Sequence, residues 1–249
     1  MGERIHKALA RAGYGSRRAV EEWIREGRVK VNGQPAVLGQ QVTDADTVEV
    51  NGARANLVSE ALQRRVIAYH KPEGEICSTK DPGGRPTILQ NLPRLTGERW
   101  VTIGRLDLNT SGLLLVTNDG SLAHRLMHPS GEIEREYAVR VLGRVTPAGM
   151  RKLTTGVQLD DGKAWFEAIH DVGGRGANHW FHVVVKEGRN RIVRRLWESQ
   201  GFRVSRLIRV RYGPITLPGS LKAGHWKEVT GQDLHALVKA AGLPELVDG

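Results

Sequence analysis

A single cysteine, Cys77, occurs in the whole chain of 249 residues, so no disulfide can close within it and a reducing compartment suits it. Long apolar runs are also missing. No stretch approaches the ~20 residues that cross a bilayer, which predicts no membrane partner. The opening MGERIHKALARAG has no apolar core of the kind an export signal needs, so the expected location is cytoplasmic. Neither GGRG nor DPGG runs into Gly-Lys-Ser/Thr, which excludes a phosphate-binding P-loop. His124 and His128 stand four apart on a helical stretch, but no Glu sits between them and no third ligand is evident. No metal, nucleotide or redox cofactor is expected. There is no internal repeat and no low-complexity tract.

Acid is scarce relative to base: 27 Asp and Glu against 37 Lys and Arg, a formal net charge of +10. A surplus of this size serves solubility when it is spread evenly and attracts polyanions when it is clustered. Here it is clustered. Between Lys186 and Arg211 stand nine basic residues against Glu187 and Glu198 alone, a distribution that favours nucleic acid.

The first 55 residues read as a compact module. Ile5, Leu9 and Ala12 have helical spacing before Gly13, Ser16 is placed to cap a second helix over RRAVEEWIRE, Asn32-Gly33 marks a hairpin, and a short strand TVEV precedes Asn51-Gly52. Asn56 to Gln63 has neither periodicity nor a turn cluster and is taken as a boundary, giving domains 1–60 and 61–249. Beyond it the pattern is one of short strands and turns: VIAYH, WVTIGRLD, GLLLVT, EREYAVRVLG, WFEAIHDV paired with HWFHVVV across GGRGAN, and RLIRVRYGPITL. Short helices are expected at SLAHRLMH and from Asn190. The fold class expected is α+β with a mostly antiparallel mixed sheet.

The strongest local signal is Gly104-Arg105-Leu106-Asp107-Leu108-Asn109-Thr110-Ser111-Gly112-Leu113-Leu114. An aspartate in a polar turn between apolar strands can work as nucleophile or base. The same residue types also make ordinary turns, and composition alone leaves both readings open. On the helix that follows Asn190, Ile192, Val193, Leu196 and Trp197 share one arc, Arg191 and Arg195 lie opposite, and Arg194 sits at the arc's edge. A half-buried guanidinium there is placed to meet a carboxylate. Taken alone, the helix is equally an amphipathic element with a solvated basic face.

The 104–114 run resembles the R-L-D-x-x-T-S-G-L-L signature of pseudouridine synthases. REYAVRV (135–141), EGRNRIVRRLW (187–197) and KPEG (71–74) are similar to further motifs of that family, in the family's order. The first 55 residues, with GSRR and GRVKVNG, resemble an S4 RNA-binding domain, and together these stretches resemble the RsuA/RluB branch. The resemblance implies a pseudouridine synthase fold and isomerisation of uridine in ribosomal RNA: the uracil leaves C1′, turns and rejoins through C5. It implies Asp107 as the catalytic carboxylate, attacking C1′ or taking a sugar proton. It also implies Arg194 as the ion-pair partner of Asp107 in a buried site, and Tyr137 as the residue that holds the base.

By the same resemblance Arg105 fills the space left by a flipped-out nucleotide. Lys71, Arg189, Arg191 and Arg195, with Arg17, Arg18 and Lys30 in the S4-like module, are expected on RNA. The partner implied is ribosomal RNA, 23S rRNA or a pre-ribosomal particle, and the protein is expected to be a monomer. Three alternatives stay open: a 16S rRNA enzyme, a non-enzymatic assembly factor, and an N-glycosylase or glycosidase. The last needs a second carboxylate, and only Glu73 and Glu75 lie near a motif.

Overall fold

The computed structural model describes residues 2–57, 64–78, 83–96 and 98–244. It divides into two compact units. One comprises Met1–Arg64 with Pro93–Val101 and Asn118–Gly120, and the other comprises the rest. The boundary expected at 60/61 lies outside the described residues.

In the first unit, β1 (Glu3–Arg4) pairs with β4 (Gln41–Val42), and β2 (Val29–Val31), β3 (Gln34–Pro35), β5 (Val48–Val50) and β6 (Ala53–Arg54) form a four-stranded sheet. Helices α1 (Ile5–Arg11) and α2 (Arg17–Arg25) pack on one another. The Ser16 hydroxyl accepts from the Ala19 amide at 3.1 Å and so starts α2 where the sequence predicts. Asn32-Gly33 and Asn51-Gly52 all have positive φ, as two-residue hairpin turns require. Ile5, Leu9, Val20, Ile24, Val29, Val31, Val48 and Val50 make the core. The segments 93–101 and 118–120 are tied in by polar contacts: Arg99 Nε donates to the Ala10 carbonyl at 3.1 Å and Arg64 pairs with Asp119 at 2.8 Å.

The second unit is built on a mixed sheet in the order β13 (Ala168–Arg175), β14 (Asn178–Val185), β10 (Arg135–Leu142), β15 (Arg203–Tyr212), β9 (Ser111–Thr117), β7 (Val66–Lys71), β17 (Trp226–Glu228). β16 (Ile215–Thr216) is added on β15 and β8 (Val101–Ile103) on β9. Along that order every pair is antiparallel except β9 with β15. A small hairpin, β11 (Val157–Leu159) and β12 (Gly162–Ala164), stands apart from the sheet. Helices α3 (Gly120–Met127), α4 (Pro147–Thr155), α5 (Ile192–Glu198) and α6 (Gly231–Ala240) complete the chain. None is long and apolar enough to cross a membrane.

The expected strand WVTIGRLD stops at Ile103, because Gly104 turns the backbone to φ +78 and Thr110 N closes a turn on the Asp107 carbonyl at 3.0 Å. The glycine-rich turn between β13 and β14 shrinks to Gly176–Ala177, since the sheet absorbs Gly173–Arg175. Helix α4 was not expected. Its start is nevertheless marked, with Thr146 accepting from the Gly149 amide at 3.2 Å and Pro147 in the first turn. On one face of the sheet Val139, Val141, Phe181, Val183 and Leu207 pack against α5. Trp197 of α5 is wedged beside Phe166, Phe181 and Phe202, with ring centroids 5.0–6.0 Å apart. Each such aromatic pair adds roughly 0.5–1.5 kcal/mol beyond its buried area. That packing holds α5 at a fixed height above the sheet.

Candidate active site

The loop from Gly104 to Thr110 runs from β8 into β9 and carries Asp107. Its backbone is fastened at five consecutive carbonyls. The Cys77 thiol donates to Leu106 O at 3.4 Å and accepts from Leu106 N at 3.4 Å. Lys71 Nζ donates to Asp107 O at 3.2 Å and to Thr110 O at 2.9 Å, and also to Pro72 O at 2.9 Å. Gly74 N donates to Leu108 O at 2.9 Å, and Arg194 Nη2 donates to Asn109 O at 2.7 Å. Burial pushes the Cys77 thiol pKa up, which keeps it neutral and able to donate. Burial pulls the Lys71 ammonium below its ordinary value, against the opposing charges of Glu75, Glu73 and Asp107. With the backbone held on the inside, the Asp107 side chain stands exposed.

Two expectations are corrected here. Lys71 does not offer its charge to RNA: it is 0% exposed, and its ammonium is shared among three carbonyls. The buried Asp107–Arg194 ion pair is also absent. Arg194 is buried at the edge of the apolar arc of α5, as helical geometry predicts, but its guanidinium binds the carbonyls of Asn109 and Val204, the latter at 3.1 Å. Asp107 acts on it through space only, opposing the burial and the Arg191 charge that lower its pKa. The reason is geometric. A half-exposed strand-to-strand loop turns its peptide oxygens, rather than its carboxylate, toward the helix.

Tyr137 lies half-buried on β10, packed against the α5 core cluster. In the sheet register it opposes Arg209 of β15, and Arg209 opposes Gly112 of β9, so the three stand in one row. Arg209 is 2% exposed and donates through Nε to Leu113 O at 2.7 Å. Gly112 has φ +107, and a Cβ built there would meet Arg209 O at 2.3 Å. Only glycine lets the parallel strand come this close. Arg209 and Gly112 are the support residues that the sequence reading passed over. The signal available was Gly112 inside an otherwise apolar strand.

Arg105 is exposed beside Asp107, and Arg191 is exposed with φ +49, near Glu198 at 3.5 Å. Arg189 and Arg195, expected to face phosphates, both pair instead with Asp161 at the tip of the β11–β12 hairpin. Arg189 also pairs with Glu187. These two arginines tie the hairpin to the start of α5. In the first unit Arg17, Arg18 and Lys30 are exposed. Glu75, one of two carboxylates considered as a second acid, is 8% exposed; it accepts from Tyr69 Oη at 2.6 Å and from Asn91 Nδ2 at 2.8 Å.

A presented carboxylate on a loop fastened at five carbonyls is an arrangement for acting on a substrate brought from outside. Comparison with known proteins agrees with the motif order. Residues 65–199 match the model of the RNA pseudouridylate synthase family, and residues 3–48 match the S4 domain. The ribosomal large subunit pseudouridine synthase B of Pseudomonas aeruginosa is 55% identical over 246 residues, which cover 98% of this chain and 64% of that protein. The protein of the same description from Escherichia coli (strain K12) is 53% identical over 247 residues, covering 98% of this chain and 85% of that one. A solved pseudouridylate synthase superposes with a TM-score of 0.66 at 25% identity, covering 94% of this chain and 99% of its own.

Proposed function

The chain belongs to the RNA pseudouridylate synthase family, and from that premise we propose that it isomerises uridine to pseudouridine in 23S ribosomal RNA, with Asp107 as the catalytic carboxylate. Residues 1–60 serve as the S4 RNA-binding domain and 61–249 as the catalytic domain. The relatives described as large-subunit enzymes support the choice of 23S over 16S rRNA. An rRNA substrate puts the work in the cytoplasm. A monomer is taken as the working unit.

The observation that carries the reading is the loop fastened at five carbonyls with its carboxylate facing out. The reaction breaks the N1–C1′ bond and forms C5–C1′; C5 loses a proton and N1 gains one, so atoms balance within the nucleotide and no energy source is needed. Asp107 either attacks C1′, which gives an ester to the sugar, or takes a proton from the sugar. Tyr137 meets the face of the uracil. The nucleotide must leave its stack to reach them, and Arg105, exposed two residues before Asp107, takes the vacated space. Arg194 is a positioning residue that acts through Asn109 O.

The test is Asp107→Asn with in vitro transcribed 23S rRNA, mapping pseudouridine chemically. The expected result is a wild-type site of modification and none from the variant. Equal yields from both would sink the assignment of Asp107, and no pseudouridine from the wild type would leave an RNA-binding assembly factor. Release of free uracil from the wild type would make it a glycosylase instead.

A further inference from the structure

The face of the sheet turned away from Tyr137 and α5 carries a second feature. Side chains alternate along β10, so Val139 and Val141 enter the core while Arg140 points the other way. The register places Arg206, Arg140, Trp180 and Gly173 side by side across β15, β10, β14 and β13. The Arg140 guanidinium lies 5.8 Å from the centre of the Trp180 ring, and its Nε donates to Ser205 Oγ at 2.9 Å. On the other flank Gly173 offers no side chain, and nothing lies within 4 Å of where its Cβ would be. A β-bulge there pushes out Val172, which is 60% exposed. The result is an open groove of about 640 Å³, lined chiefly by Arg140, Val172, Arg175, Asn178, Trp180 and His182.

Its electrostatics are one-sided. No carboxylate lines the groove. The nearest acids are already occupied: Asp171 by His179 at 2.5 Å and the Gly173 amide at 2.8 Å, and Glu136 by His182 at 2.8 Å and Arg211 at 2.9 Å. Arg175 and Arg206 form no ion pair among the described residues, in contrast to Arg189 and Arg195. An aromatic ring bare on one flank, among cations with no acid competing for them, is the chemistry that holds a base by stacking and its phosphates by charge.

We propose that this groove binds a single-stranded segment of the RNA substrate, with one base stacked on Trp180 beside Arg140 and phosphates on Arg175 and Arg206. The proposal rests on the reading of the chain as an RNA-modifying enzyme and extends its RNA contact to the sheet face turned away from Tyr137 and α5. Stacking on an aromatic ring tolerates any base, so the groove gives grip rather than choice of target.

The experiment uses the full chain and two readouts. The first is anisotropy of a fluorescein-labelled oligouridylate of about 12 nucleotides, a length within the span such surfaces cover, between about 50 and 200 mM salt. The second is pseudouridine formation in transcribed 23S rRNA at saturating concentration. The double variant Arg140→Glu/Arg175→Glu should bind the oligonucleotide at least about tenfold more weakly and lose roughly one to two units of salt slope. Trp180→Leu should also weaken binding about tenfold, and Trp180→Phe, which keeps a ring, should stay near wild type. Pseudouridine yield at saturation should be unchanged in all three, and circular dichroism should match wild type. Wild-type affinity and salt slope in the double variant would overturn the proposal and assign the groove to a protein partner or to none. If the wild type makes no pseudouridine while the variants still lose affinity, the catalytic reading fails and the groove stands.

Discussion

The ammonium of Lys71 lies 3.2 Å from the main-chain carbonyl of Asp107 and is closed off from solvent. The charge nearest the backbone of the acid is therefore a buried donor on a different strand, which fixes where the carboxylate stands without touching it.

Replacing Lys71 by Met leaves the carbonyls of Pro72, Asp107 and Thr110 without a buried donor. The expected cost is roughly 2–4 kcal/mol, read from urea unfolding. Turnover should fall about 100-fold, the scale set by a loop displaced by about an ångström, with RNA affinity unchanged. A variant that turns over normally but binds RNA weakly would return Lys71 to the RNA-contact role.

Arg194 bridges the loop and the first part of β15 with two nitrogens. Arg194→Lys keeps the charge but has one point donor, so it should recover part of the turnover lost in Arg194→Met, which falls about 100-fold or more. The split to look for is a drop in kcat at constant KM. A loss confined to KM would mean that Arg194 meets RNA rather than the loop.

Gly112 and Gly104 separate close approach from backbone strain. Gly112→Ala drives a methyl group to 2.3 Å from Arg209 O at φ +107, and should cost at least about 3 kcal/mol or prevent folding. Gly104→Ala, at φ +78 with nothing nearer than 3.8 Å, should cost about 1–2 kcal/mol. Thermal melting of the two proteins gives the comparison, and equal melting points would contradict it.

Asp161 links the β11–β12 hairpin to Arg189 and Arg195. The hydrogen bond from Arg195, with the nearby cations, holds its pKa down to about 2 against an ordinary 3.8. A pKa lowered by folding contributes stability that is complete above the ordinary value and is lost as pH falls through the folded one. The wild type should therefore lose melting temperature between pH 3.8 and about 2 more steeply than Asp161→Asn. The pair is exposed, so added salt should narrow the gap. Parallel curves for the two proteins would show that the bridge does not stabilise the fold.

Much of this was legible in the sequence because it is written in local chemistry. Ser16 before α2, the Asn32-Gly33 hairpin and the alternation in EREYAVRVLG each specify their own backbone. So does the arc that leaves Arg194 at the edge of a helix. The partners were not legible. Helical spacing says that Arg194 is half-buried, but not whether it will meet the Asp107 carboxylate or the Asn109 carbonyl. That depends on which way a loop 85 residues away turns its peptides. Lys71 read as a surface cation because lysine usually is one, and only the closure of β7 against the 104–110 loop removes it from water. Helix α4 carries a cap and a proline but buries only Leu153 completely, too faint an apolar stripe to read.

The parallel strand β15, inserted between β10 and β9, has a consequence for synthesis. The Asp107 loop takes its fastenings from residues 36 and 85 positions away, and its neighbouring strand takes one from 96 positions away. A growing polypeptide emerging from the translation machinery has the aspartate long before it has the bonds that aim it, and such distant pairings form late. The loop is thus fully fastened only once residues 194 to 209 have been made.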